Sequence, residues 1–484
     1  MSDFRPVFHV VGWVLIVLAV LMFIPAIVDV AKADMGSARA FLTSALLTGF
    51  AGICMALATQ GSLGKALDVR QAYLLTVSIW VVVPVFGALP LLAGVPELTL
   101  IDAWFQGVSD LTATAATVMS DLDRLPFGIS LWRGLMNWIG GLGIAFVAMI
   151  FLPLMRVGGM QFFRAEGFHT YGKALPRASD IARHLVFVYI ILTLSCIVVF
   201  TAIGMPAADA VTFGLSMIST GGALPHDTSF SGYHGASEYF GALFMFLGSL
   251  PFIRYVQLVN GHMRPLWEDP QVRAYFRWLM SAVVAMSLWR ILAAGAPPET
   301  AFRESLFNLT SMMSSTGAWS GEFPEWGGAA FAVAVILGII GACAGSTAAG
   351  ISVFRVQIAL QLLWQRLKRI GMPSAVDPVK YAGRRVEEDV IDAVIMFITC
   401  FIFALGFFTA ALTLFGIDLE SALFASWASL CNIGYGDGPL VDSGDGTFAA
   451  FPQGALLVMM LAMVMGRLGM VAVLVLLIPH FWRR

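Results

Sequence analysis

The chain has 484 residues, 59% hydrophobic and 12% charged, with a formal net charge of −2. A soluble domain carries roughly 45–50% apolar and about 25% charged residues, so these proportions exclude a soluble monomer and leave no stretch for a sizeable soluble domain. The histidines (His9, His169, His184, His226, His234, His262 and His480) are scattered, with no HExxH, nucleophile elbow or phosphate loop. That pattern argues against an enzyme, and the lack of a folded basic domain argues against nucleic acid as a partner.

Apolar runs of about 20 residues, the length that crosses a bilayer, recur from end to end. The first, at 10–28, exceeds the roughly 7–15 apolar residues of a secretory signal and lacks a small-residue cleavage site, so it reads as a retained helix. Two helices, about 8–30 and 40–58, form an N-terminal unit over 1–65. Four units follow, at 66–165, 166–265, 266–372 and 373–484. Each holds a spanning helix, a short amphipathic helix of about ten residues, a turn rich in Gly, Thr or Ser, and a second spanning helix. A ten-residue helix covers about 15 Å, half the membrane, so it dips in and returns through its turn. The fold class is therefore all-α integral membrane, with about ten transmembrane helices and four re-entrant pore loops in a pseudo-fourfold arrangement.

The turns superpose on Ala115, Gly222, Gly317 and Gly434. They read Thr112-Ala113-Thr114-Ala115-Ala116, Ser219-Thr220-Gly221-Gly222-Ala223, Ser314-Ser315-Thr316-Gly317-Ala318 and Cys431-Asn432-Ile433-Gly434-Tyr435. Upstream spacing repeats too: Asp102-Ala103 and Asp209-Ala210 both begin thirteen residues before that position (115−102, 222−209), and Leu306-Phe307 and Leu423-Phe424 eleven before it (317−306, 434−423). Irregular backbone at membrane depth survives only buried in protein or lining water, and four turns meeting on one axis satisfy that requirement together. Their carbonyl oxygens then form a ring able to replace the hydration shell of a monovalent cation. Candidate filter residues are Thr112, Ala113, Thr114, Ala115, Thr220, Gly221, Gly222, Ser315, Thr316, Gly317, Asn432, Ile433 and Gly434. The acids Asp102, Asp209, Glu304 and Glu420 are expected near the positive starts of the short helices.

Two further features breach the apolar pattern. The second helix of the third unit is interrupted over 338–352 by Gly338, Gly341, Gly345, Ser346, Thr347 and Gly350, a composition that breaks a helix where hydroxyls or water can meet the freed backbone. Arg467 lies inside the apolar run 456–478, where a guanidinium should face water or an acid, and its field would oppose cations. The five cysteines have no paired spacing and suggest neither disulfides nor zinc.

Arg156, Arg164, Lys173, Arg177 and Arg183 fill one connection, Arg264, Arg273 and Arg277 the next, and Arg366, Lys368, Arg369, Lys380, Arg384 and Arg385 a third. By the positive-inside rule these are cytoplasmic, as are both termini. Every unit then has the same polarity, which favours a pore over the inverted repeats of a secondary transporter.

The run Ile433-Gly434-Tyr435-Gly436-Asp437 resembles the filter sequence of potassium channels. Taken with Trp138-Ile139-Gly140-Gly141-Leu142-Gly143, the motif at 152–161, Cys343-Ala344-Gly345-Ser346-Thr347 and Gly466-Arg467-Leu468, the fourfold plan resembles the TrkH/KtrB/HKT superfamily, nearest its TrkH branch, over nearly the whole chain. That resemblance implies K+ uptake through a filter in the bacterial inner membrane, a homodimer, no covalently bound cofactor and control by a TrkA-like cytosolic nucleotide-binding regulator. It also implies that the stretch holding Gly341, Gly345, Ser346, Thr347 and Gly350 is an intramembrane loop that gates the pore together with Arg467. Some residues depart from the family pattern. Ala115 takes a glycine site, and in plant relatives a non-glycine there accompanies a preference for sodium. Asp110 replaces a glycine, Gln106 an acid, Ser352 a lysine and Gly469 an acid. Na+ permeation, or proton- or sodium-coupled secondary transport, is the alternative reading.

Overall fold

A computed structural model of the chain describes residues 4–62, 68–148, 178–262, 264–372, 378–443 and 446–482. The motif at 152–161, and Arg156, Arg164, His169, Lys173, Arg177, Arg483 and Arg484, lie outside the described residues.

Among the described residues, six helices are long and apolar enough to cross a membrane unbroken: Arg5–Ala31, Met35–Ala58, Arg70–Ala93, Ala182–Ala202, Pro270–Ala294 and Glu388–Thr413. The first two are the N-terminal pair, and each of the others leads into one of the four turns. Large apolar side chains on them face outward, with Leu292 83% and Phe403 74% exposed. In water such a surface would drive aggregation. In lipid it is the solvated side, and the helix satisfies its own backbone.

The N-terminal pair is antiparallel and closely apposed. A methyl added to Gly12 would lie 2.9 Å from the Gly52 carbonyl oxygen, an approach that only small residues allow. Buried Asp29 anchors the pair to the rest of the molecule, accepting from Ser37 Oγ at 2.6 Å and from the Gly128 N–H at 2.8 Å. Gly128 opens the helix Phe127–Phe146, which follows the first turn.

The short helices are Leu100–Leu111, Ala207–Ile218, Pro298–Met313 and Leu419–Leu430, of 12, 12, 16 and 12 residues rather than about ten. Even 16 residues reach only about 24 Å, short of the roughly 30 Å core. Local sequence sets their starts: Thr99 Oγ1 accepts from the Asp102 N–H, Asp418 from the Ser421 N–H, and Pro298 occupies the first turn of the third. Asp102, Asp209 and Glu420 lie in first turns as expected, but Glu304 does not. Because the third helix begins at Pro298, its first-turn acid is Glu299, while Glu304 sits mid-helix and pairs with Arg290 at 2.8 Å.

The helices after the second and fourth turns depart from the expectation of plain spans, and the one after the third is interrupted. Ala236–Gly248 and Phe252–Val259 meet at 90° across Pro251, and Gln453–Leu468 and Met470–Leu477 meet at 114° across Gly469. Gly328–Ile340 stops at Gly341, whose φ of 68° cannot continue a helix, and the chain becomes helical again only over Val353–Gly371. Strand among the described residues is limited to the hairpin Lys380–Tyr381 with Arg384–Arg385, turned by Ala382 and Gly383 at positive φ. The five cysteines are free thiols.

Candidate functional site

Each short helix ends in the same backbone device. Residues at positive φ recur two positions apart, at Ala113 and Ala115, Thr220 and Gly222, Ser315 and Gly317, and Asn432 and Gly434. The first of each pair donates its N–H to the residue three before it, at 3.1 to 3.3 Å. The residue between donates back to the short helix five positions earlier: Thr114 to Ser109 O at 2.9 Å, Gly221 to Ser216 O at 3.0 Å, Thr316 to Ser311 O at 2.8 Å and Ile433 to Ala428 O at 2.9 Å. Ser109 Oγ and Ser216 Oγ also brace the far limbs of their turns by donating to the carbonyls of Ala116 and Ala223.

The turns meet edge to edge. A methyl on Gly222 would lie 1.8 Å from Thr316 O, one on Gly317 1.6 Å from Ile433 O, and one on Gly434 1.9 Å from Thr114 O. The same construction at Gly221 comes within 3.1 Å of Ala113 Cβ, joining the second turn to the first. Four turns contacting in the order first, second, third, fourth, first make a closed ring. Its glycines are required by both conformation and space, since positive φ and a touching carbonyl each disfavour a Cβ. Side chains link the turns as well: Asn432 Nδ2 donates to Thr114 Oγ1 at 2.8 Å and to Met463 O at 3.0 Å.

All thirteen candidate filter residues lie in this ring. Ala115, Gly222, Gly317 and Gly434 are partly exposed, whereas the residues on either side of each are buried, so the ring touches open space at the four superposed positions. No group of three or more His, Cys, Asp or Glu that could hold a metal ion occurs among the described residues.

The chain between Gly341 and Ser352 packs directly against the second and third turns. Thr347 Oγ1 donates to Ile218 O at 3.2 Å and Gly248 O at 3.0 Å and accepts from Thr220 Oγ1 at 3.1 Å. The Ala349 N–H donates to Ser315 Oγ at 2.8 Å. Gly341, Gly345 and Gly350 all have positive φ, and Ser346 and Thr347 are buried. Arg467 is buried and shares a small cavity with Gly345, Ser346, Gly350 and Arg355. None of its three guanidinium nitrogens has a hydrogen-bond partner among the described residues. Arg355 donates to Ile351 O at 2.6 Å and stacks 3.9 Å from the centre of the Phe397 ring.

Several residues here were not singled out from sequence. Arg133, Asn137, Arg355 and the buried acid Glu238 support the turns or the loop from behind. Glu238 pairs with Arg303, which also holds Glu299 at 2.8 Å. The signal that marked Arg467, an ionisable residue inside an apolar run, was also available for Arg133 and Arg355. Asp110 is buried and faces Arg133, Asn137 and Gln106.

Known proteins share this architecture. A family model for TrkH, described as a cation transport protein, matches residues 37–484. The chain belongs to the TrkH family. It is 32% identical to the Trk system potassium uptake protein TrkI of Halomonas elongata, over 99% of this chain and 97% of that protein. Identity to the Trk system potassium uptake protein TrkH of Escherichia coli is 30%, over 99% of both. The crystal structure of the potassium transporter TrkH from Vibrio parahaemolyticus matches with a TM-score of 0.90 at 29% identity, covering all of both chains. TrkH-family membership fixes the chain as a transporter-type membrane protein and accounts for a helical fold whose long apolar helices surround four short ones.

Proposed function

We propose that this chain is the conducting subunit of a potassium uptake system of the bacterial inner membrane, passing K+ through the ring of Thr112–Ala115, Thr220–Gly222, Ser315–Gly317 and Asn432–Gly434. The observation that carries the reading is the closed ring itself, in which backbone carbonyls of successive turns abut and only the four superposed positions meet open space. Relatives named for potassium uptake support K+ as the ion. Units 66–165, 166–265, 266–372 and 373–484 each supply one quarter of the ring, and 1–65 packs outside it.

Gating falls to the loop 341–352 and Arg467. The loop is tied by few, mostly side-chain hydrogen bonds to the underside of two turns, and the unpaired guanidinium beside it sets a positive potential across the exit. Cations pass when the loop releases and the guanidinium moves aside. A TrkA-like cytosolic nucleotide-binding regulator supplies the energy for that release, acting on a homodimer whose termini both lie in the cytoplasm. The second reading, sodium permeation or coupled transport, draws on one feature: Ala115 puts a methyl where the other turns have glycine. Liposome reconstitution with isotope flux of K+, Rb+ and Na+, with and without a proton gradient, tests both. Saturable K+ and Rb+ flux that ignores the proton gradient fits the pore, whereas flux that follows the gradient, or equal Na+ flux, replaces it with the second reading.

A further inference from the structure

Three of the ring's four seams are built alike, with a glycine against the next turn's carbonyl. The seam between the first and second turns is different. By the same cyclic order Ala115 occupies the position facing the second turn, where its methyl stands in place of the glycine found at the other three seams. Behind this seam stands a buried polar cluster centred on a carboxylate of the first short helix itself. Asp110 is 1% exposed, Arg133 2% and Asn137 fully buried. Five positions before the ring glycine, where the first turn has Asp110, the other turns have Met217, Met312 and Ser429.

The cluster reaches the second turn at two points. Asn137 Oδ1 lies so close to Gly221 that an added methyl would be 1.9 Å from it, and Asn137 Nδ2 donates to Asp110 Oδ1 at 3.4 Å and to Arg133 O at 3.1 Å. Arg133 Nη1 donates to Leu224 O at 3.4 Å, just beyond the turn, while its Nε is 3.8 Å from Asp110 Oδ1. Gln106 Nε2 donates to the same carboxylate oxygen at 3.0 Å and links it through Gln106 Oε1 and Thr117 Oγ1 to the far limb of the first turn. One carboxylate therefore ties both limbs of the seam through groups on Phe127–Phe146 and on the short helix Leu100–Leu111.

We infer that Asp110 is a specificity-determining positioning residue: acting through Asn137 and Arg133, it sets where the Gly221 carbonyl stands at the one seam where alanine stands in place of glycine. Asp110 does not touch the ion. The inference rests on the ring being the filter. A seam without glycine contact has no intrinsic backbone lock, so its carbonyl position is decided by what braces it, and the ion that fits follows from that position.

The test is relative uptake of Na+ and K+ into liposomes by the parent, D110N, the charge-free pair D110N/R133Q, A115G and A115G/D110N. Groups in contact couple by amounts that correspond to roughly twofold to a hundredfold in an equilibrium. D110N or the charge-free pair should accordingly shift the Na+ to K+ ratio by about that factor, and in the A115G background the shift should shrink because glycine closes the seam. Unchanged ratios in both Asp110 variants, with protein inserted and conducting, overturn the proposal, and so does failure of both to insert, which makes the cluster purely structural. A shift of equal size with or without A115G also overturns it. Gly317→Ser, measured in parallel, separates the two readings: if it leaves uptake and ion ratio alone, the ring is not the filter, and if it alters them while Asp110 variants do not, only the positioning role falls.

Discussion

Gly317→Ser is the most direct perturbation of the ring. The added Cβ would lie 1.6 Å from Ile433 O and 2.7 Å from its carbonyl carbon, where non-bonded heavy atoms normally stop at about 3.5 Å. The third and fourth turns must separate by roughly 2 Å to accept it. The φ of 74° adds about 1–2 kcal/mol for an L side chain, a cost the chain already tolerates at Ala115, so displacement of the carbonyl is the larger effect. A misplacement of about 1 Å in a site that depends on geometry costs on the order of a hundredfold in rate, and uptake should fall by at least that factor. The assay is radioactive rubidium uptake into liposomes at matched protein content. Gly406→Ala is the control, because nothing lies within 4 Å of a methyl added there. Gly317→Ser taking up rubidium at the control's rate would refute the reasoning.

Arg467→Ala should raise flux in liposomes lacking any regulator, since it removes an unpaired charge from the exit; unchanged flux, or protein lost from the membrane, counts against the gate. Thr347→Val removes the hydroxyl that shares its one proton between Ile218 O and Gly248 O and accepts from Thr220 Oγ1, a net loss of about 1.4 kcal/mol, and should increase regulator-free flux roughly tenfold, with an unaltered rate showing that the docked loop does not limit conduction. His226 Nδ1 bonds Asp123 while its Nε2 lies 3.3 Å from Asp209. The hydrogen bond from His226 lowers Asp123 below its ordinary value, and although burial alone would lower His226, its bonds to Asp123 and Asp209 raise it. The histidine's contribution to stability is then complete below pH about 6.5 and lost as pH rises through the raised value, and the aspartate's is complete above about 3.9 and lost as pH falls through the lowered one. The melting temperature of the parent should exceed that of His226→Asn most between those limits and converge with it in alkali, by an amount matching at most about 1 kcal/mol for so exposed a pair; a constant gap from about pH 5 to about pH 9 would dismiss the bridge.

Much of this molecule was legible because its informative features are local. Six apolar runs of bilayer length, four short helices opened by Thr99, Pro206, Pro297 and Asp418, and turns that share one register can each be read within a dozen residues. The interruption at 338–352 and the stray Arg467 were visible as breaches of an apolar pattern. Glu304 was misplaced because the start of its helix depends on Pro297 and Pro298, which the repeat spacing alone did not weigh.

Sequence by itself determined that the chain lives in lipid, that it is built from a repeated helix and turn, and that the four turns, rich in Gly, Thr or Ser, share one register. Tertiary structure alone decided which residues close the expected ring, because Gly222 meets Thr316 and Gly434 meets Thr114 only after distant helices dock. It likewise decided that Asp110 faces Arg133, Asn137 and Gln106, and that Thr347 seals against Thr220 across 127 residues of chain. The division has a physical cause: backbone preference and hydropathy act over a few neighbouring residues, whereas the partner of a buried polar group is chosen by the packing of the whole, where an unpaired alternative costs too much to persist.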